Sequence, residues 1–244
     1  MSNAIPNHNV RLHSVFSQAK VFSGLASSDL DEIAASFRAR TYPRGSKLFL
    51  QGQPAAVYYL MGEGQVKVLQ TSSEGFDVIL HIFGPGELIG ALPMLGEGTY
   101  PGTAVGLTEV VAFSIASRDF ESILNRFPSV TVNLLHFAAG IIQASHARLR
   151  ELATERVERR IARAVARLAN QTGVKTEEGI TLSVPLSRQD LADLTGTTLF
   201  TVSRTLKAWE RKGIVRASRA SLTVLHPHAL IAIGEDLPDR PPTS

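Results

Sequence analysis

Residues 186–215, LSRQDLADLTGTTLFTVSRTLKAWERKGIV, leave the chain few ways to fold. Ser187 is a strong N-cap residue, and Asp190 stands three residues later to answer the free amides of a first helical turn. Leu191 and Leu194 give that short helix an inward face, and Gly196 stands where a left-handed residue would end it. Thr198 can cap a second helix, in which Val202, Leu206 and Trp209 recur at helical spacing and turn inward. Its outer stripe is then Leu199, Phe200, Thr201, Ser203, Arg204 and Lys207. A merely solvated helix has little use for Leu199 and Phe200 on that side. A helix-turn-helix presents such a stripe to DNA, with the first residues of its second helix at base edges. Ser187 and Arg188, where the first helix begins, join these residues as expected contacts to double-stranded DNA.

The following segment, GIVRASRASLTVLH, reads as a β-hairpin wing that carries Arg216 and Arg219 toward phosphates. Charge is distributed to match. Residues 1–128 hold nine Lys and Arg against eleven Asp and Glu, and residues 129–244 hold sixteen against eleven. A basic module joined to a slightly acidic one suits a polyanion-binding domain attached to a small-molecule domain. The chain has no cysteine, which excludes disulfides, thiol sensing and cysteine-ligated zinc or iron–sulfur sites. No stretch is apolar over the length of a bilayer span, and the first residues lack an apolar signal core. A cytoplasmic location with no membrane partner is therefore expected.

Upstream, residues 21–37 carry Leu30, Ile33, Ala34 and Phe37 at helical spacing, whereas residues 1–18 are polar and read as loose. From Tyr42 to Ile115 the pattern is short β-type runs divided by glycine-bearing turns, which suggests a small barrel or roll. After a short helix over 117–126 and a break at Pro128, a long helix is expected over 129–154. Leu135, Ile142 and Leu149 lie seven apart in it, with Ala138, Ser145 and Leu152 between, the seam of a homodimer helix. Phe137, Ile141 and Ala144 lie off that seam and supply a second apolar face toward the helix's own domain. The charge-rich run ELATERVERR reads as a hinge, and Val157, Ile161, Val165 and Leu168 begin the next helix.

Helix, β-roll, long helix and winged helix-turn-helix, in that order, resemble the cAMP receptor protein / fumarate-nitrate reduction regulator superfamily of bacterial transcription factors. The resemblance covers about residues 19–232 and is carried by FSGLASSDLDEIA, YPRGSKLFLQGQPAAVYYLMGEGQVKVL, ILHIFGPGELIG and TVSRTLKAWERKGIV. It implies an α+β chain: a flexible tail over 1–18, a cyclic-nucleotide-binding-like β-roll over 19–128 and a dimerisation helix over 129–155. A winged helix-turn-helix over 156–232 and a disordered tail over 233–244 complete it. It also implies RNA polymerase as a partner and an effector that shifts the long helices. The two recognition helices would then sit at successive major grooves of a palindromic operator, about 34 Å apart.

Two departures matter. Gly86, Glu87 and Leu88 keep the family's GE segment, but TYPGTAVG follows. Tyr100 stands where the cyclic-nucleotide binders hold an arginine, and Pro101 where they hold Ser or Thr; Thr103 completes the expected pocket. A buried phosphate would lack its counter-charge there, so cAMP is not expected. On the recognition helix many members carry Arg-Glu-x-x-Ser-Arg. Here Ser203 and Arg204 persist, Arg204 being suited to a guanine and Phe200 to a thymine methyl.

The missing cysteines rule out an iron–sulfur oxygen sensor. The roll looks more like the dissimilatory nitrate respiration branch, which implies haem and nitric oxide, with His136, His146 or His81 as axial ligand. Another small apolar or anionic effector, or none, stays open. An enzyme is not expected: the roll holds one histidine, His81, with no His-x-His pair, no Ser/His/Asp context and no phosphate loop.

Overall fold

A computed structural model describes residues 8–96, 98–218 and 221–237, the side chains of residues 8–12 excepted. They group into two compact units, residues up to 71 with 80–144, and residues 72–79 with those from 145 onward.

In the first unit, α1 (His8–Gln18) and α2 (Ser27–Ala35) flank a single turn of tighter helix at Lys20–Phe22. Residues 8–18 are thus helical rather than loose. The reason is Phe16, which is fully buried and packs against Phe22, Phe37 and Phe113 at ring separations of 5.4, 5.0 and 5.8 Å. Burying such a ring is worth about 1.5–3 kcal/mol, enough to hold a polar helix on the roll.

The roll comprises β1 (Arg38–Tyr42), β2 (Lys47–Phe49), β3 (Val57–Glu63), β4 (Val66–Thr71), β5 (Asp77–Phe83), β6 (Leu88–Ile89), β7 (Thr103–Gly106) and β8 (Val110–Ala116). They form two four-stranded sheets, β1-β8-β3-β6 and β2-β7-β4-β5. The register pairs Arg38 with Ser114, Leu60 with Phe113 and Met61 with Ala112, and Leu60, Met61 and Ala112 are fully buried. Then come α3 (Ser117–Arg126) and the 27-residue α4 (Pro128–Thr154). Val130 and Leu134 of α4 are buried on the roll, and Phe137 and Ile141 pack beside them.

The second unit contains the end of α4, then α5 (Val157–Thr172), β9 (Gly173–Thr176), β10 (Gly179–Leu182), α6 (Arg188–Thr195) and α7 (Leu199–Arg211). It closes with β11 (Val215–Ala217), β12 (Leu222–Val224) and α8 (Pro227–Glu235). The sheet order is β11-β12-β10-β9, so the wing hairpin is extended by a second hairpin that the sequence pattern does not announce. The core beneath α7 is built on Ile161, Val165, Leu191, Val202, Leu206 and Trp209. Helix α8 reaches Glu235, three residues into the expected disordered tail; residues 238–244 lie outside the described residues.

Candidate nucleic-acid interface and effector pocket

The two ends of α6 are fixed by side chains. At its start Ser187 Oγ accepts from the Asp190 amide at 3.0 Å, and Asp190 Oδ2 accepts from the Ser187 amide at 2.9 Å. This is a reciprocal capping box. At its end Gly196 takes φ 60°, a conformation that glycine adopts without penalty. Thr198 Oγ1 then accepts from the Thr201 amide at 3.2 Å and starts α7. Trp209 is fully buried and its indole N–H donates to Glu158 Oε1 at 2.9 Å, tying α7 to α5.

The inner residues of α7 thus leave the expected stripe outward. Phe200 is 72% and Leu199 47% exposed. Arg204 and Lys207 are exposed, whereas Thr201, Ser203 and Arg188 are half-buried and Ser187 is exposed. Arg216 is exposed on β11 and forms an ion pair with Glu178, so in this structure it is already paired. Arg219 lies outside the described residues.

Sequence reasoning read residues 151–160 as a hinge and missed a buried charge cluster there. Glu151 is only 4% exposed and receives both terminal nitrogens of Arg167, at 2.7 and 3.2 Å. Arg163 lies 4.0 Å from Glu151 and 3.3 Å from Glu155. Arg160 donates to the carbonyls of Thr195 (3.1 Å), Gly196 (3.2 Å) and Glu155 (3.0 Å). Arg148 donates to the Leu194 carbonyl. Burial, and then the like charge of Arg167, lower the pKa of Arg148, against the pull of Glu151. The signal was available in outline: Arg160, Arg163 and Arg167 share one face of α5 by their spacing.

Glu87 Oε2 accepts from the Gly84 amide at 2.7 Å, within its own turn, and its other oxygen lies 4.0 Å from His81 Nε2. Gly86 and Glu87 are bonded through their backbones to Met61 on β3, and Leu88 is buried. Tyr100 is buried, its hydroxyl donating to the Val57 carbonyl at 2.5 Å and its ring stacked on Phe49 at 4.0 Å. Burial raises the Tyr100 pKa, while the Val57 amide, which donates to the hydroxyl oxygen at 3.3 Å, acts the other way. Val57 and Met61 are four residues apart on one strand, about 13 Å at the usual rise. Thr103 Oγ1 accepts from the Gln51 amide at 3.1 Å, and Pro101 is exposed.

On α4, Leu135, Ile142 and Leu149 are exposed, Ser145 is exposed and Ala138 half-buried. Leu152 differs from the other seam residues. A Cβ placed on Gly196 would meet its Cδ2 at 2.7 Å, so Leu152 lies against the α6–α7 turn of its own chain. His136 and His146 are exposed, and His81 is half-buried with its ring 4.4 Å from that of Phe83. Helix α4 meets the roll through Val130, Leu134, Phe137 and Ile141, a face that does not include His136. Among the described residues no three His, Asp or Glu side chains converge on a metal position, and no single helix is long and apolar enough to cross a membrane.

A β-roll whose helix feeds a winged helix-turn-helix, with an outward stripe on the second helix, defines a DNA-binding transcription regulator. Residues 39–127 match the cyclic nucleotide-binding domain model and residues 159–233 the Crp-like helix-turn-helix domain. The chain is 30% identical to the cyclic AMP receptor protein of Thermus thermophilus over 84% of its own length and 91% of that protein's. It is 24% identical to the CRP-like cAMP-activated global transcriptional regulator of Mycobacterium tuberculosis, over 86% and 94% of the two chains. The fold matches the c-di-GMP responsive global regulator CLP of Xanthomonas campestris with a TM-score of 0.72 at 21% identity, covering 82% of this chain and 99% of that one. The chain belongs to the Crp family of transcription regulators, which are not enzymes.

Proposed function

We propose that this regulator works as a homodimer on a palindromic operator and answers to an effector that carries no phosphate. The observation that carries the second half is Tyr100. A cyclic nucleotide needs a cation for its phosphate, and here a tyrosine spends its hydroxyl on Val57 and its ring on Phe49. A phosphate brought to that position would be buried without a counter-charge, at a cost of several kcal/mol. The cAMP dependence in the names of its relatives is theirs, and this reading does not carry it over.

The dimer rests on the exposed row Leu135, Ile142 and Leu149, leucine and isoleucine at heptad spacing on a helix whose other face is already buried. A two-fold dimer carries two recognition helices and so reads an inverted repeat, with RNA polymerase at the promoters it controls in the cytoplasm. Arg204 donates to a guanine and Phe200 packs on a thymine methyl.

The test is titration of the purified dimer with cAMP, and separately with haem under anaerobic conditions with and without nitric oxide. Stability and affinity for an operator selected from random duplexes are both followed. A bound ligand at a hundred times its Kd adds about 2.7 kcal/mol to stability, so binding is visible even where DNA affinity is unchanged. No saturable shift with cAMP is expected, and a cAMP response that tightens operator binding would overturn the proposal. A stoichiometric Soret band that moves with nitric oxide would assign haem, with His81, the half-buried histidine, as the first ligand to replace.

A further inference from the structure

We propose that Arg148 and Arg160 are positioning residues of the DNA-reading head: they hold the C-terminal end of α6, and the turn that launches α7, against the end of α4 and the start of α5. The inference rests on the family's DNA binding and on geometry within the second unit.

The last carbonyls of a helix have no partner inside it. In α6, which is only eight residues long, three carbonyls in a row at this end, those of Leu194, Thr195 and Gly196, accept from arginines. The capping box closes the other end, so neither terminus of α6 is left to fray. The Gly196 turn leads within two residues to the cap of α7, so its placement sets the direction in which Leu199, Phe200 and Arg204 point.

The electrostatics agree. Arg148, Arg160, Arg163 and Arg167 are grouped with Glu151, Glu155 and Glu235, four positive charges against three negative. The carbonyl end of α6 carries a partial negative charge that offsets part of the excess. The competing role is contact with DNA phosphates. Arg160 argues against it, because its Nε, Nη1 and Nη2 are all directed at backbone carbonyls.

The test compares Arg148→Gln and Arg160→Gln with the wild type on two duplexes, an operator selected by the wild-type protein and a scrambled duplex of the same composition. Charge-assisted hydrogen bonds of this kind correspond to a loss of about tenfold or more in operator affinity. Scrambled-duplex affinity and the salt dependence of binding should stay close to wild type, and amide exchange over residues 191–202 should quicken. Arg160→Lys keeps the charge but cannot span three carbonyls, so it should resemble Arg160→Gln. It also serves as the readable variant if the glutamine form does not fold. Equal losses on both duplexes with a shallower salt dependence would make these arginines phosphate contacts and overturn the proposal. Unchanged operator affinity with unchanged amide exchange would overturn it too.

Discussion

The roll and the reading head treat their polar groups in opposite ways. In the roll, the side chains nearest the family's ligand position are satisfied from within: Glu87 by the Gly84 amide, Tyr100 by the Val57 carbonyl, Thr103 by the Gln51 amide. In the head, the internal hydrogen bonds fix the frame of α6 and α7, while Phe200 and Arg204 are left exposed. The roll therefore offers little fixed charge to a ligand, and the head keeps its outer face free for one. Family membership alone would have treated both regions as intact copies of their relatives.

The contrast can be broken most forcefully through the head's core. Trp209→Ala removes a fully buried indole and its bond to Glu158, and about 3–5 kcal/mol of stability should go with it in denaturant unfolding. A loss below 1 kcal/mol would mean that α7 is held by something else. Leu149→Asp comes next. Leu149 is 66% exposed, so the monomer should keep its thermal stability while sedimentation shows the dimer dissociating. A variant that stays dimeric would move the interface off this seam. Arg204→Ala should cost about 1–3 kcal/mol of operator affinity and relax one base position, whereas an equal loss on every sequence would reduce Arg204 to a phosphate contact. Ser187→Ala opens the capping box and should cost about 1 kcal/mol, read as a shifted denaturation midpoint with unchanged slope.

Alkaline pH gives the mildest and most selective handle. All four tyrosines lie in the first unit, and burial raises the pKa of Tyr58, Tyr59 and Tyr100 above the ordinary value of 10.0. A raised pKa favours the protonated phenol in the folded state. That stability is complete below pH 10 and falls as pH rises through the folded values. Phenolate absorbance from these three tyrosines should therefore appear together with loss of the roll's tertiary signal. If the tyrosines titrate at their ordinary value with the roll intact, the burial argument fails.

How much of this was legible in the sequence follows from the range of the interactions. The capping of α6, the Gly196 turn and the inward row Val202, Leu206, Trp209 depend on neighbours within one or two turns, and the spacing displays them. The helix over residues 8–18 was missed because Phe16 gains its partners from outside the helix: Phe22 in the following turn, Phe37 beyond α2 and Phe113 on β8. The β9–β10 hairpin was missed because each strand is four residues long and only Leu182 among the eight residues is buried. In the effector region the residue types were readable and their engagements were not. That Tyr100 replaces an arginine is plain from the letters, but that its hydroxyl is committed to Val57 depends on a bond across 43 positions. The charge-rich run 151–160 was read as a hinge, and its part in the arginine cluster was missed for the same reason: Arg160 reaches partners up to 36 residues away.

Because Arg148 and Arg160 grip main-chain oxygens rather than side chains, the hold on the α6–α7 turn does not depend on which residues occupy positions 194 and 195, provided the backbone keeps its path. The exposed stripe of α7 is equally outside the grip. Substitutions at Leu199, Phe200 or Ser203 can therefore change the preferred operator without loosening the mount. A lineage carrying this arrangement can move its regulator to new promoters by single replacements, each tested by selection on DNA recognition rather than on folding.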